Sequence, residues 1–204
     1  MADEAPSAHS TRWVETSRGI LRYSELAPLL AERVLRIQER IEAGDYAASP
    51  LDENLIRTLH RDFCGDLVPD WAGNWRSISV RVGLHEPPPP HLVPLQMREY
   101  SLDLQARLAG PSQFELLPDT LAFAESRLLT IHPFADFNGR LVRLWLWELL
   151  RRLKLPPVQL VPRDKAETEI YLSALRAGDQ KDFQPLAQLW MQRLSVPPTE
   201  PVSQ

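Results

Sequence analysis

The stretch Leu141–Leu153, LVRLWLWELLRRL, constrains this chain more than any other. Its apolar residues fall almost all the way round a helix instead of along one stripe, so it has no face to give to water. Such a helix must be wrapped by others, and it belongs at the centre of a helical fold. Pro156-Pro157 mark its end, because proline removes an amide donor and clashes with the preceding turn. On this reading Trp145 and Trp147 are core residues. Arg151, Arg152 and Lys154 complement the negative end of the helix dipole.

The wrapping helices are legible from their period. Leu26, Leu30, Val34, Ile37 and Ile41 form one stripe over Ser24–Ala43, closed by Gly44. Ser49 as cap and Pro50 at the first position open a second helix, with Leu55, Ile56, Leu59 and Phe63 inside. Met97, Tyr100 or Ser101, Leu104 and Leu108 share a face that starts at Pro94. Pro118-Asp119 open another helix, which must stop at His132 because Pro133 disfavours the α conformation there. Asp164 with Glu167 makes a capping box for a helix reaching Ala177, and Asp182 caps a last one ending near Leu194. Between the second and third helices the period changes to two. Ile78, Val80 and Val82 alternate with Ser79 and Arg81, which predicts a half-exposed strand in Asn74–Gly83. The four prolines Pro87–Pro90 behind it run extended as a stiff connector. The fold class is therefore all-α with a small β insertion, and no linker is long enough to separate two domains. The divisions are an N-terminal segment 1–23, a domain 24–194 with its insertion at about 74–86, and a disordered tail 195–204.

Composition narrows the partners. A net charge of -4 argues against a phosphate-backbone surface, so no nucleic acid is expected. The single cysteine, Cys64, excludes an internal disulfide and a cysteine-built zinc site. No stretch approaches the ~20 apolar residues of a membrane span, and the start lacks the basic and apolar regions of a secretory signal, so no membrane is expected and the expected address is the cytoplasm. His60, His85 and His91 are read as loop or helix-surface residues.

The chemistry is concentrated in HPFADFNGRLVR, His132–Arg143. A histidine at a helix end faces a carboxylate, Asp136, and the turn Phe137-Asn138-Gly139 opens the central helix. Amides at a helix N-terminus attract anions. Asn138 is a good cap, and Gly139 lets a phosphate approach the backbone. Arg140 and Arg143, three apart, project from one face. A base, a carboxylate, an anion nest and two guanidiniums suit phosphate-ester chemistry on a nucleotide, completed by Mg²⁺ held by one carboxylate and substrate phosphates.

These residues strongly resemble the Fic family (Fic/Doc fold), whose signature is H-x-F-x-[D/E]-G-N-G-R-x-x-R. His132, Phe134, Asp136, Asn138, Gly139, Arg140 and Arg143 all fall in place. Seven specified residues at their usual frequencies arise by chance on the order of once in a few million chains of this length. The resemblance extends over roughly Ser49–Leu194, with WAGNWRSISVRVG and HEPPPPHLVPLQM similar to the family's flap.

The resemblance implies a Fic-like helical bundle with a β-hairpin flap, and transfer of AMP from ATP to a Ser, Thr or Tyr hydroxyl of a target protein, releasing pyrophosphate. His132 would be the general base. Asp136 would hold Mg²⁺. Phe137, Asn138 and Gly139 would cradle the α-phosphate, with Arg140 and Arg143 on the β- and γ-phosphates. Phe134 would pack inward and fix the loop. Arg76, Ser77, Ile78, Ser79, Val80, Arg81 and Val82 of the flap would pair with an extended target segment. Two departures stand out. Phe137 occupies a position where the signature has Gly, and a backbone with φ > 0 there would strain it. Glu167-Thr168-Glu169 is acidic where relatives often carry an arginine. A Doc-like transfer of the terminal phosphoryl group, or a catalytically weak nucleotide-binding module, are the competing readings. Relatives are often inhibited by a glutamate in the pattern [S/T]-x-x-x-E-[G/N]. Thr11–Thr16 matches it imperfectly, and Ser49–Asn54 matches literally but is explained by capping. Inhibition by a separate antitoxin-like chain, or none, stays open.

Overall fold

The computed structural model describes residues 13–110 and 115–195. Among them are two strands, β1 (Trp13–Thr16) and β2 (Gly19–Arg22), and seven α-helices: α1 (Tyr23–Ala43), α2 (Glu53–Cys64), α3 (Val93–Ala109), α4 (Leu117–Ile131), α5 (Asn138–Arg152), α6 (Lys165–Asp179) and α7 (Gln184–Ser195). The all-α reading with a small β element holds. The tail residues 196–204 lie outside the described residues, as do Thr11 and Arg12 of the imperfect inhibitory pattern.

The central helix is the one expected. Leu141, Leu144, Trp145, Leu146 and Leu149 of α5 have no exposed surface, and neither has Glu148. α1, α2 and α4 pack against it, and α4 in turn carries α3, α6 and α7 on its other sides. Trp145 is core, its indole N–H donating to the Tyr100 hydroxyl at 2.8 Å. Arg151 and Arg152 do something the dipole argument did not foresee. They donate to the buried Glu148 carboxylate at 2.9 and 2.6 Å, the compensation a buried charge requires.

Two local expectations are corrected. The cap of α2 is Asp52, whose carboxylate accepts from the Asn54 and Leu55 amides at 2.9 and 3.1 Å, and Ser49-Pro50 lie in the turn before it. A carboxylate at the positive end of a helix satisfies the same donors as serine and adds a favourable charge term. The strand expected in Asn74–Gly83 does not form. Only Val82 and His85 make a bridge, with both backbone bonds at 3.0 Å around the turn Gly83-Leu84. Downstream of that bridge the partner strand would be Pro87–Pro90, which has no amide to donate, so the alternation stays an extended chain without a ladder. The two-stranded hairpin is β1–β2 instead, four residue pairs from Trp13↔Arg22 to Thr16↔Gly19. Its turn is fastened where Ser17 donates its amide to Leu67 O at 2.7 Å and its hydroxyl to Asp66 O at 2.6 Å.

Candidate active site

The motif residues occupy the C-terminus of α4, a five-residue loop and the first turn of α5. His132 ends α4 in the left-handed region, φ 50°, its amide still bonded to Leu128 O. Proline at 133 disfavours the right-handed helix at His132, and histidine tolerates the left-handed one better than most residues. The helix therefore stops where the sequence predicts.

The loop is held from inside. The Asn138 side chain accepts from the Phe134 amide at 3.0 Å and donates to the Phe134 carbonyl at 2.9 Å. It stands inside the first turn of α5 instead of capping it, and its amide group acts as a substitute strand for Phe134. The Phe134 ring has no exposed surface and stacks on the His60 imidazole, 3.8 Å between centroids and 4° between planes, with Trp75 at 5.0 Å.

His60 is thus a component of the site that the sequence reading left on the surface. It is completely buried. The Gly73 amide donates to its Nδ1 at 2.9 Å, so Nδ1 is the acceptor and the proton sits on Nε2, which donates to the Asp136 carbonyl at 3.2 Å. Burial pulls this imidazole down to a pKa of about 3, so it stays neutral and keeps that tautomer at ordinary pH. The available signal was its place on the apolar face of α2, in register with Ile56, Leu59 and Phe63.

Asp136 is 8% exposed, and its carboxylate accepts the Phe137 amide at 2.7 Å. Phe137 itself has φ 62°, the left-handed conformation that glycine would adopt without cost. Its ring offsets that cost: it is 1% exposed and sits 5.4 Å from Trp71 and 6.1 Å, edge-on, from Phe63. Beyond it the amides of Asn138 and Gly139 lie in the first turn of α5, where no intrahelical carbonyl reaches them.

The two arginines follow on α5. Arg140 donates to the Tyr23 hydroxyl, and its guanidinium lies 5.4 Å over the Tyr23 ring. Tyr23, one turn before Leu26 on the buried face of α1, is the second residue the sequence reading missed. Arg143 lies three residues on, half-buried on the same helix; Tyr171 of α6 donates its hydroxyl to the buried Glu125 at 2.6 Å.

The flap residues divide. Ser77, Ile78, Ser79 and Arg81 are exposed, and Val80 and Val82 half-buried. Arg76, grouped with them in the sequence reading, differs in its surroundings. It is 4% exposed, and its guanidinium turns inward onto the end of α4. Of the inhibitory candidates, Glu53 pairs with Arg98 of α3 at 3.4 Å, and Glu15 lies in β1 opposite Ile20. Among the described residues no group of three or more His, Cys, Asp or Glu side chains gathers as a metal centre.

Residues 50–150 match the Fic/DOC family model. The protein adenylyltransferase Fic of Nematostella vectensis is 33% identical over 131 residues, 63% of this chain, and that of Aedes aegypti is 34% identical over 131 residues. The chain spans 29% and 25% of the length of these two relatives. Among solved structures, a VirB-translocated effector of Bartonella tribocorum with bound AMPPNP superposes with a TM-score of 0.69 at 16% identity, covering 92% of this chain and 94% of that one. A Fic family protein of Desulfovibrio desulfuricans gives 0.65 at 26% identity, over 82% of this chain and 51% of that one.

Proposed function

The chain belongs to the Fic/DOC family, and from that premise we propose that it is a protein adenylyltransferase, moving AMP from ATP to a Ser, Thr or Tyr hydroxyl of a target protein. The observation that carries this reading is the motif loop: His132, Asp136, the first-turn amides of α5, Arg140 and Arg143 stand on one rigid junction between two buried helices. The named activity of the relatives and the nucleotide in the Bartonella tribocorum effector support it.

In this mechanism the His132 imidazole takes the proton of the attacking hydroxyl. The hydroxyl oxygen bonds to the α-phosphorus, the bond from that phosphorus to the bridging oxygen breaks, and pyrophosphate leaves with the electron pair. The amides of Asn138 and Gly139 hold the α-phosphate at the positive end of α5. Arg140, steadied by Tyr23, and Arg143 hold the β- and γ-phosphates as charge builds on the leaving group. Asp136 suits Mg²⁺, an ion bound through one or two carboxylates plus substrate phosphates, and does not call for a cage of ligands. When bound, the ion supplies neutralisation of phosphate charge. The exposed backbone 77–81, which has no ladder of its own, pairs with the target segment. The unit that carries this is 24–194, with Tyr23 at its edge as the partner of Arg140, acting in the cytoplasm, and an antitoxin-like chain is the candidate regulator.

One observation favours a second reading. The Phe137 amide already bonds the Asp136 carboxylate, which takes one donor from the anion nest and points to a nucleotide-binding module of low turnover. Incubating the protein with ATP, Mg²⁺ and cell lysate, then searching by mass spectrometry for adenylylated hydroxyl side chains, tests the first reading. Adenylylated peptides that vanish with His132→Ala support it. Calorimetric ATP·Mg²⁺ binding without any modified peptide supports the module.

A further inference from the structure

Arg76 is a buried cation that meets only carbonyl oxygens. Its Nε donates to His132 O at 2.8 Å, Nη1 to Ile78 O at 2.9 Å, and Nη2 to Pro88 O at 2.5 Å and Ile131 O at 3.4 Å. Its own amide donates to Pro133 O at 2.9 Å. Burial holds its pKa below the ordinary arginine value, and no acidic side chain contributes to the shift. A guanidinium placed this way carries a desolvation cost with no carboxylate to offset it, so its carbonyl contacts must hold it.

Those carbonyls belong to three segments. Ile131 and His132 supply the last carbonyls of α4, which have no helical partner and carry the negative end of the dipole. Ile78 is the bend of the flap, and Pro88 lies in its proline exit. A planar fork with donors in fixed directions can satisfy all three at once, and a lysine ammonium cannot. We propose that Arg76 is the positioning residue of the general base: it pins the left-handed backbone of His132 and ties the flap to it, so that the base and the target-docking segment hold one geometry. This rests on the adenylyltransferase reading for its catalytic consequence, but the structural coupling does not.

The test uses the whole chain with Arg76→Gln and Arg76→Lys. Nucleotide is held by α5 and its arginines, so ATP·Mg²⁺ affinity by calorimetry should stay within twofold of wild type in both variants. With Arg76→Gln, kcat for target adenylylation should fall ~10- to 100-fold with KM for ATP unchanged, the loss expected when a catalytic group is mispositioned. Arg76→Lys should recover part of that loss. Amide hydrogen exchange should show protection lost at position 76, Val82, His85 and His132, whose amides are hydrogen-bonded, and kept in α5. Should Arg76→Gln fail to fold, Arg76→Lys carries the test alone, with kcat reduced at least fivefold and the same exchange pattern. Wild-type kcat in Arg76→Lys and Arg76→Gln overturns the proposal, as does a rise in KM for ATP at constant kcat, or protection lost equally in α5. If the wild type transfers no AMP, the adenylyltransferase reading fails. The exchange pattern then decides the coupling by itself: local loss at position 76, Val82, His85 and His132 upholds it, and unchanged protection there refutes it.

Discussion

Two irregular stretches meet at this site, and they are built in opposite ways. The junction 132–137 is short and mostly buried, and side chains fasten it, one from the adjoining turn and two from elsewhere: Asn138 to Phe134, His60 to Asp136, Arg76 to His132. The flap beyond Arg76 has one backbone bridge, Val82 to His85, a side-chain anchor where His85 Nε2 meets Thr130 O at 2.9 Å, and a turn residue, Leu84, that is 91% exposed. Transition-state chemistry needs atoms held to fractions of an ångström, and on the proposed function the junction 132–137 would supply that at the cost of two residues in the left-handed region, His132 and Phe137. Recognition of an extended segment needs unpaired backbone, and a completed ladder in the flap would remove it. On the adenylyltransferase reading, the fastened backbone stands where bonds would break, and open hydrogen-bonding capacity where a partner would dock.

The contrast can be broken at its catalytic end first. His132→Ala should lower AMP transfer by roughly 10²–10⁴-fold, the usual loss with a general base. Far-ultraviolet circular dichroism and ATP affinity should remain close to wild type; a mutant that labels its target at the wild-type rate removes His132 from the mechanism.

Next in size is Phe137. Glycine there would relieve roughly 1 kcal/mol of backbone cost. Deleting a buried aromatic ring costs roughly 3–5 kcal/mol. Phe137→Gly should therefore destabilise the fold by about 2–4 kcal/mol in urea unfolding, and Phe137→Ala by about 1 kcal/mol more. A glycine variant as stable as wild type would mean that the aromatic cluster does not hold the loop.

His60 gives the loop a pH signature. The unfolded histidine takes a proton near pH 6.5 and the folded one only at about 3, so the unfolded state binds more protons between them. Stability should fall as pH drops below 6.5, with a slope of up to about 1.4 kcal/mol per unit from this residue. His60→Gln should show a shallower acid dependence than wild type, measured by denaturation at pH 7, 6 and 5. Equal slopes would separate His60 from the acid response.

The flap sets the lower bound. Leu84→Ser should change stability by less than about 0.5 kcal/mol, because an exposed side chain has little burial to lose. A larger loss in thermal unfolding would show the tip packed after all.

What the sequence made legible follows the same divide. The helices and the motif loop announced themselves through periodicity and through residue types whose chemistry depends on spacing, and both His132 as a helix end and α5 as the buried centre follow from prolines and apolar distribution. His60 sat on an apolar stripe already recognised, and only its polar end hid its role; Tyr23 opens α1 one residue before the start read from the sequence, so it fell outside the recognised stripe. Arg76 was illegible because its partners come from residues 78, 88, 131 and 132, a convergence that no local pattern encodes. The strand expected at 74–83 failed for a complementary reason: alternation describes an extended chain, and a ladder also needs a partner with amides to give. The hairpin β1–β2 escaped because four residues are too few to show a period.

The most direct measurement concerns which phosphorus moves. A lysine at position 139 would offer a point charge beside the first-turn amides; Gly139 has no side chain there, and on the proposed function that space takes the α-phosphate. With a target identified, the protein is given ATP labelled in turn at the α- and γ-phosphorus. The account predicts the α label alone on the target, with pyrophosphate as the second product. The γ label on the target, with ADP released, would contradict it and make the enzyme a phosphotransferase.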